Sequence, residues 1–130
     1  MKTLQILFLS GLAVFALACG YGSHSYMNPS PGNVPAIAQL SPPMMKAGSP
    51  AFSLTVNGSA FSGTAKVNFG GAVMTTTYIS GNQLMASIPA SAIATAATVQ
   101  VTVTNPGTPG GPYGGGTQSE TSAPMNFTVQ

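Results

Sequence analysis

From residue 35 onward, apolar and polar residues alternate with a period of two, interrupted at short intervals by Gly, Pro, Asn and Ser. The clearest early stretch is Phe52 to Phe61, where Phe52, Leu54 and Val56 alternate with Ser53, Thr55 and Asn57. Such alternation puts three apolar side chains on one face of a strand. We read it as a central strand of a sheet. Asn57-Gly58 tolerates positive φ and predicts a turn at that point, after which Phe61 folds back over the apolar face.

The same reading extends in both directions. Pro35 to Leu40 predicts a short strand carrying Ile37 and Leu40, stopped by Pro42-Pro43, which suit a sheet edge because they cannot donate to a ladder. Lys46 to Pro50 is a turn into the strand that begins at Phe52. Beyond Phe61, Ala65, Val67 and Phe69 form the next inward face, and Gly70-Gly71 is a hairpin turn into a Thr-rich strand over Ala72 to Ile79. Ser80-Gly81-Asn82 turns into Gln83 to Ile88, where Leu84, Ala86 and Ile88 share a face. Pro89 to Thr98 allows one helical turn around Ile93. Val99, Val101 and Val103 then alternate with Gln100, Thr102 and Thr104, residues 105–121 form a long Gly/Pro loop, and Met125, Phe127 and Val129 close the chain. About seven short strands with no long helical pattern predict an all-β fold, an antiparallel β-sandwich.

Composition narrows the picture. A chain of 130 residues, 44% of them hydrophobic, holds one domain with a core plus short extras. Only 3% of its residues are charged, against roughly 25% in an average soluble domain, so the polar surface is Ser, Thr, Asn, Gln and Gly. Three basic residues spread over the whole length make no basic patch, which excludes a nucleic-acid interface. Low charge also leaves Thr-rich strands open to edge pairing. Pro42, Pro43, Lys46, Lys66 and the Gly/Pro loop are the available guards, and the chain is expected either to protect its edges or to pair one with a neighbour.

The N-terminal segment carries an export signal. Met1-Lys2 is a short positive start, and Leu4 to Ala18 is a mostly apolar run of 15 residues, shorter than the roughly 20 needed to span a bilayer. Residues 1–18 are read as a signal peptide. Ala16-Leu17-Ala18 suits an ordinary signal peptidase, and the same residues followed by Cys19 resemble a bacterial lipobox, whose cysteine is acylated and becomes the N-terminus. Cys19 is the only cysteine, so no disulfide partner exists, and this favours the lipid. Residues 19–34, with Pro29, Pro31 and Gly32, read as a lipid-anchored tether that as a flexible coil would span about 20 Å. The expected location is the cell envelope, on the outer membrane or the cell surface if the host has two membranes.

The residues from 35 to 130 carry a family likeness. Pro35-x-Ile37, Leu40-Ser41-Pro42, Ala47-Gly48, Val56-x-Gly58-x-x-Phe61 and Val67-x-Phe69-Gly70-Gly71 resemble the IPT/TIG family. Ser80 with Leu84, Pro89, Val99-x-Val101-x-Val103-x-Asn105-Pro106-Gly107 and Phe127-x-Val129 continue the pattern. The resemblance implies an immunoglobulin-like β-sandwich over 35–130. It implies no single function, because such domains serve in receptors, transcription factors and adhesins and as spacers in carbohydrate-active enzymes.

The inventory of reactive groups is short. After the signal peptide the chain has one carboxylate side chain, Glu120, and one histidine, His24 in the tether. A carboxylate pair for glycoside hydrolysis and a Ser-His-Asp triad are therefore both excluded. Calcium and zinc sites need more ligands than His24 and Glu120 provide, and Gly114-Gly115-Gly116-Thr117 lacks the lysine of a phosphate-binding loop. No cofactor, metal, catalytic residue or small-molecule substrate is expected. Recognition by a surface remains, and the best contact is the long loop with Tyr113, Gln118 and Glu120. A spacer or protein-contact module in the envelope is the leading reading, and a carbohydrate-binding accessory module is the alternative.

The anchor is directly testable. Labelled palmitate is expected to enter the wild-type protein and not Cys19→Ser; equal labelling of the two would remove the lipid reading.

Overall fold

Ten strands form among residues 30–130, the part of the chain that the computed structural model describes. They are β1 (Ala36–Ser41), β2 (Met44–Met45), β3 (Phe52–Ser59), β4 (Lys66–Phe69), β5 (Ala72–Val73), β6 (Thr75–Ser80), β7 (Gln83–Ile88), β8 (Ala97–Asn105), β9 (Glu120–Thr121) and β10 (Met125–Val129). The predicted signal peptide, Cys19 and His24 lie outside the described residues. One sheet has the order β1-β3-β7-β6. The other runs β2-β10-β8-β4-β5, with β9 added beside β8. Every pairing is antiparallel except that of β2 with β10. The expected all-β, immunoglobulin-like sandwich is the architecture observed.

The alternation does what strand geometry requires. Leu54 and Val56 of β3, Leu84, Ala86 and Ile88 of β7, and Val67 and Phe69 of β4 point inward and are buried, as are Val101 and Val103 of β8 and Phe127 and Val129 of β10. Phe127 sits at the middle of this core. Its ring stacks on Phe52 from the opposite sheet at 5.8 Å and meets Phe69 edge-on at 5.3 Å, so one side chain joins the two layers. Ile93, in the one 3₁₀ turn among the described residues, at Ala90–Ile93, closes one end of the core with no exposed surface.

Four local expectations change. The strand starting at Phe52 does not turn at Asn57-Gly58 but continues to Ser59, with Asn57 opposite Gln39 and Gly58 opposite Ile37. The corner lies at Ala60, which takes φ +61°. Gly58 is needed for space instead of for backbone freedom. A β-carbon there would collide with the Ala36 carbonyl oxygen and lie 2.7 Å from the tip of the Phe61 ring. With no side chain at 58, the tip of the Phe61 ring reaches over the strand it has just left, and Phe61 is buried.

The strand expected over Ala72 to Ile79 is broken at Met74. Its first part, β5, stays with β4 through the tight Gly70-Gly71 turn, whose residues have φ +60° and +89°. Its second part, β6, crosses to β7 in the other sheet. Thr76 makes the crossing possible. Its hydroxyl accepts from the Val67 amide at 2.9 Å and donates to the Met74 carbonyl at 2.9 Å, replacing ladder bonds that the crossing chain gives up.

The prolines at 42 and 43 mark a similar change of sheet. They end β1, an edge strand as expected, and the chain resumes as β2 on the edge of the other sheet. Finally, residues 30–34, expected to belong to the tether, are mostly exposed but hydrogen-bonded to the domain at Ser30 and Asn33. Pro35 is fully buried and Ser30 bonds to the loop described below.

A substitution separates space from backbone freedom at Gly58. Gly58→Ala is expected to lower unfolding free energy by at least about 2 kcal/mol in urea titration. Gly63→Ala, whose added methyl meets nothing within 4 Å, is expected to leave it unchanged.

Candidate functional site

The loop chosen from the sequence is a folded ribbon and not a slack connection. Thr108 and Thr117 exchange backbone hydrogen bonds at 3.1 Å in both directions. Each hydroxyl also accepts from the other's amide, at 3.1 and 3.0 Å, and the two hydroxyls lie 3.1 Å apart. Further out, Gly111 and Gly114 bond reciprocally at 3.1 and 3.0 Å, leaving Pro112-Tyr113 as the tip. Gly116 fits because it takes φ +96° and a β-carbon would come 2.5 Å from the Thr108 carbonyl oxygen. A third strand element completes the ribbon. Ser30 donates to Gly116 O at 3.1 Å and accepts from Gln118 N at 3.0 Å, so the segment entering the domain runs parallel to the returning arm.

The three predicted contact residues spread along this ribbon. Tyr113 is 93% exposed at the tip. Gln118 is exposed beside Ser30. Glu120 lies at the base in β9, opposite Asn105, half-buried with its side chain near Gly32. Tyr113 and Gln118 are available to a partner, whereas Glu120 is partly absorbed by the fold.

At the base of the ribbon is a cleft of about 250 Å³ between the entering segment, the corner after Phe61 and the start of the loop. Asn33, Ser62, Thr64, Thr108 and Gln118 contribute its polar wall, with Pro31, Gly32 and Pro106 between them. No charged residue lines it. Amides and hydroxyls can hydrogen-bond neutral groups but do not transfer protons near neutral pH, so the cleft is equipped for binding and not for acid-base chemistry. Among the described residues, no group of three or more His, Cys, Asp or Glu is placed to hold a metal ion.

Sequence reasoning missed the residue on which this end depends. Asn105 is the last residue of β8 and almost fully buried. Its Oδ1 accepts from the Ser62 amide at 3.0 Å, while Nδ2 donates to Asn33 O and to Ala60 O, both at 2.7 Å. One amide thus holds the entering segment, the positive-φ corner and the end of β8 together. The signal was present: 105 is the next inward position after Val99, Val101 and Val103, and a polar side chain there needs buried partners. Ser122 plays a smaller part of the same kind, its hydroxyl accepting from Val103 N at 2.9 Å and donating to Ala123 O at 3.0 Å.

The IPT/TIG domain model matches residues 35–129. The chain belongs to the IPT/TIG family. The match takes in both sheets and the ribbon, and it begins at buried Pro35, five residues after Ser30. Among solved structures, an auxiliary nutrient binding protein from Bacteroides ovatus ATCC 8483 aligns over 80% of this chain with a TM-score of 0.43 and 21% identity. The alignment covers 22% of that protein, so this chain spans about a fifth of its length. No curated protein sequence matches the chain.

Asn105→Ala leaves the Ser62 amide and two carbonyls without their partner and is expected to cost about 3 kcal/mol in thermal or urea unfolding. Asn105→Asp offers an acceptor but, when ionised, no donor to Asn33 O and Ala60 O. It is expected to destabilise at least as much, and stability equal to wild type would show that the amide is not the tie.

Proposed function

We propose that this IPT/TIG chain is a non-catalytic module of a bacterial cell envelope, exported, held to the membrane by lipid on Cys19, and working as a spacer or protein-contact domain. The observation that carries the contact role is the ordered ribbon. Residues 108–117 are cross-bonded and tied to Ser30, so Tyr113 is presented on a support with little conformational freedom to lose on binding. Stacking and hydrogen bonding by an exposed tyrosine suit a protein surface.

The direction of the entering chain adds a geometric condition. Ten residues lie between Cys19 and Ser30, eleven steps along the backbone. Fully extended they reach at most about 40 Å. With Cys19 in the membrane, the ribbon end of the sandwich therefore stays within that distance of the bilayer, while Gln130, at the end of β10, lies at the opposite end of the strands. On this reading, the partner of the ribbon is another component of the membrane surface.

A second reading, a carbohydrate-binding accessory role, is favoured by one specific feature. The cleft beside the ribbon offers amides and hydroxyls without charge, the groups that recognise neutral hydroxyls. It lacks an aromatic wall, because Tyr113 is at the far tip of the ribbon.

One variant tests both readings. Replacing residues 109–116 with a short Gly-Ser turn keeps Thr108 and Thr117 and removes the tip. Pull-down from envelope extract is expected to lose the partner of the wild-type protein, and retention of that partner would remove the ribbon from the contact. A glycan array probed with the same pair is expected to stay blank; sugar binding retained by both proteins would favour the cleft.

A further inference from the structure

We propose that the free edge of β6 is a self-association surface on which a second copy of this chain adds its own β6, antiparallel, about a two-fold axis beside Thr77. The inference goes beyond the anchored-module reading and does not depend on it. It starts from the unequal protection of the sandwich edges. Two sheets have four edges, and an edge strand exposes backbone groups that can template pairing with another chain.

Three of the four edges are blunted. β2 and β5 are two residues long, the first placed between Pro42-Pro43 and Lys46 and the second directly after Gly70-Gly71. β1 lies between Pro35 and Pro42, and its register with β3 is interrupted between Ile37 and Gln39. β6 has six residues, Thr-Thr-Thr-Tyr-Ile-Ser, without proline or charge. Its one irregularity falls between Tyr78 and Ser80, so Thr75 to Tyr78 is regular strand, paired on one side with β7 and open on the other. Lys66, a guard expected from the sequence, does not help. It is on β4, between β8 and β5 in the other sheet.

Exposed apolar surface gathers at the same place. On β6, Tyr78 is 43% and Ile79 48% exposed, and Met85 on the adjoining β7 is also exposed. Elsewhere the exposed positions of this sheet are small or polar: Ala36, Ala38, Gln39 and Ser41 on β1, Ser53 and Ser59 on β3, and Ser87 on β7. An unguarded edge beside apolar side chains is a surface that gains by being covered.

The chemistry of the edge favours a copy of itself as the occupant. Antiparallel pairing about Thr77 opposes Thr77 to Thr77 and Thr76 to Tyr78, and Thr–Thr and aromatic–β-branched pairs are favourable cross-strand neighbours. None of the four strands in this sheet contains a charged residue, so two copies meet without like charges in opposition. A charged peptide, in contrast, finds no complementary side chain on this sheet. The contact is isologous and closes on itself, joining two four-stranded sheets into one continuous sheet.

Cysteine cross-linking of the full exported chain tests this. Directly opposed residues of an antiparallel pair have Cα atoms about 4.5–5.5 Å apart, within the range a disulfide bridges. Under mild oxidation, Thr77→Cys is expected to give a reducible band at twice the monomer mass. Wild type, whose one thiol is Cys19, and Gln39→Cys on the outer side of β1 are expected not to. In sedimentation, Thr77→Lys, which places two ammonium groups opposite each other, is expected to weaken the dimer at least tenfold while Thr77→Val does not. The proposal is overturned if Thr77→Cys links no more than wild type, or if Gln39→Cys links equally. A Thr77→Cys adduct of a different mass, which would mark a foreign strand on this edge, also overturns it.

Discussion

One buried amide determines how the ribbon end of this domain is built. Asn105 completes an inward-facing row that otherwise consists of valines, and it brings a donor group and an acceptor into a largely buried place at the floor of the cleft. Such a group is costly unless it is paired. The fold pairs it by bringing three backbone segments to it: the entering chain at Asn33, the corner at Ala60 and the amide of Ser62. Since the ribbon leaves β8 immediately after Asn105, and the entering segment is bonded to that ribbon at Ser30, the orientation of the whole end follows from this one side chain. The ribbon and its structural tie are therefore neighbours in the chain.

The rest of the sandwich is held by ordinary means placed economically. Phe127 packs against rings from both sheets, Gly58 lets β1 and Phe61 close on β3, and the Thr76 hydroxyl carries the chain across from one sheet to the other. These devices do not use charge. The only charged side chains among the described residues are Lys46, Lys66 and Glu120, so the fold is insensitive to salt-bridge chemistry and its polar faces are built from hydroxyls and amides. Asn68, bonded to the Thr102 and Thr104 hydroxyls at 3.2 and 3.0 Å, shows how such a face is organised.

That economy has a consequence for association. In most domains, charged residues at sheet edges keep strands from joining. Here the same task falls to short strands, prolines, glycines and a break in register, and these cover β1, β2 and β5 but not β6. A scarcity of charge thus links the neutral character of the cleft, lined by amides and hydroxyls, to the open edge of β6.

The alternation of side chains by itself determined the inward faces of β3, β4, β7, β8 and β10 and the β-sandwich class, and local glycine and aromatic positions gave the Gly70-Gly71 hairpin and the buried Phe61. These are properties of neighbouring residues, and a period of two is visible without knowing what lies across the core. The quoted motifs likewise carried the family. Contacts between residues far apart in sequence decided the remainder. Gly58 read locally as a turn, but the Ala36 carbonyl that requires its missing side chain is 22 positions away. The break at Met74 depends on Val67, and the role of Asn105 on Asn33 and Ala60. Residues 105–121 read as a loop because Gly and Pro punctuate them. They became a ribbon because Thr108, Thr117 and Ser30 meet in space, a juxtaposition that no local pattern encodes.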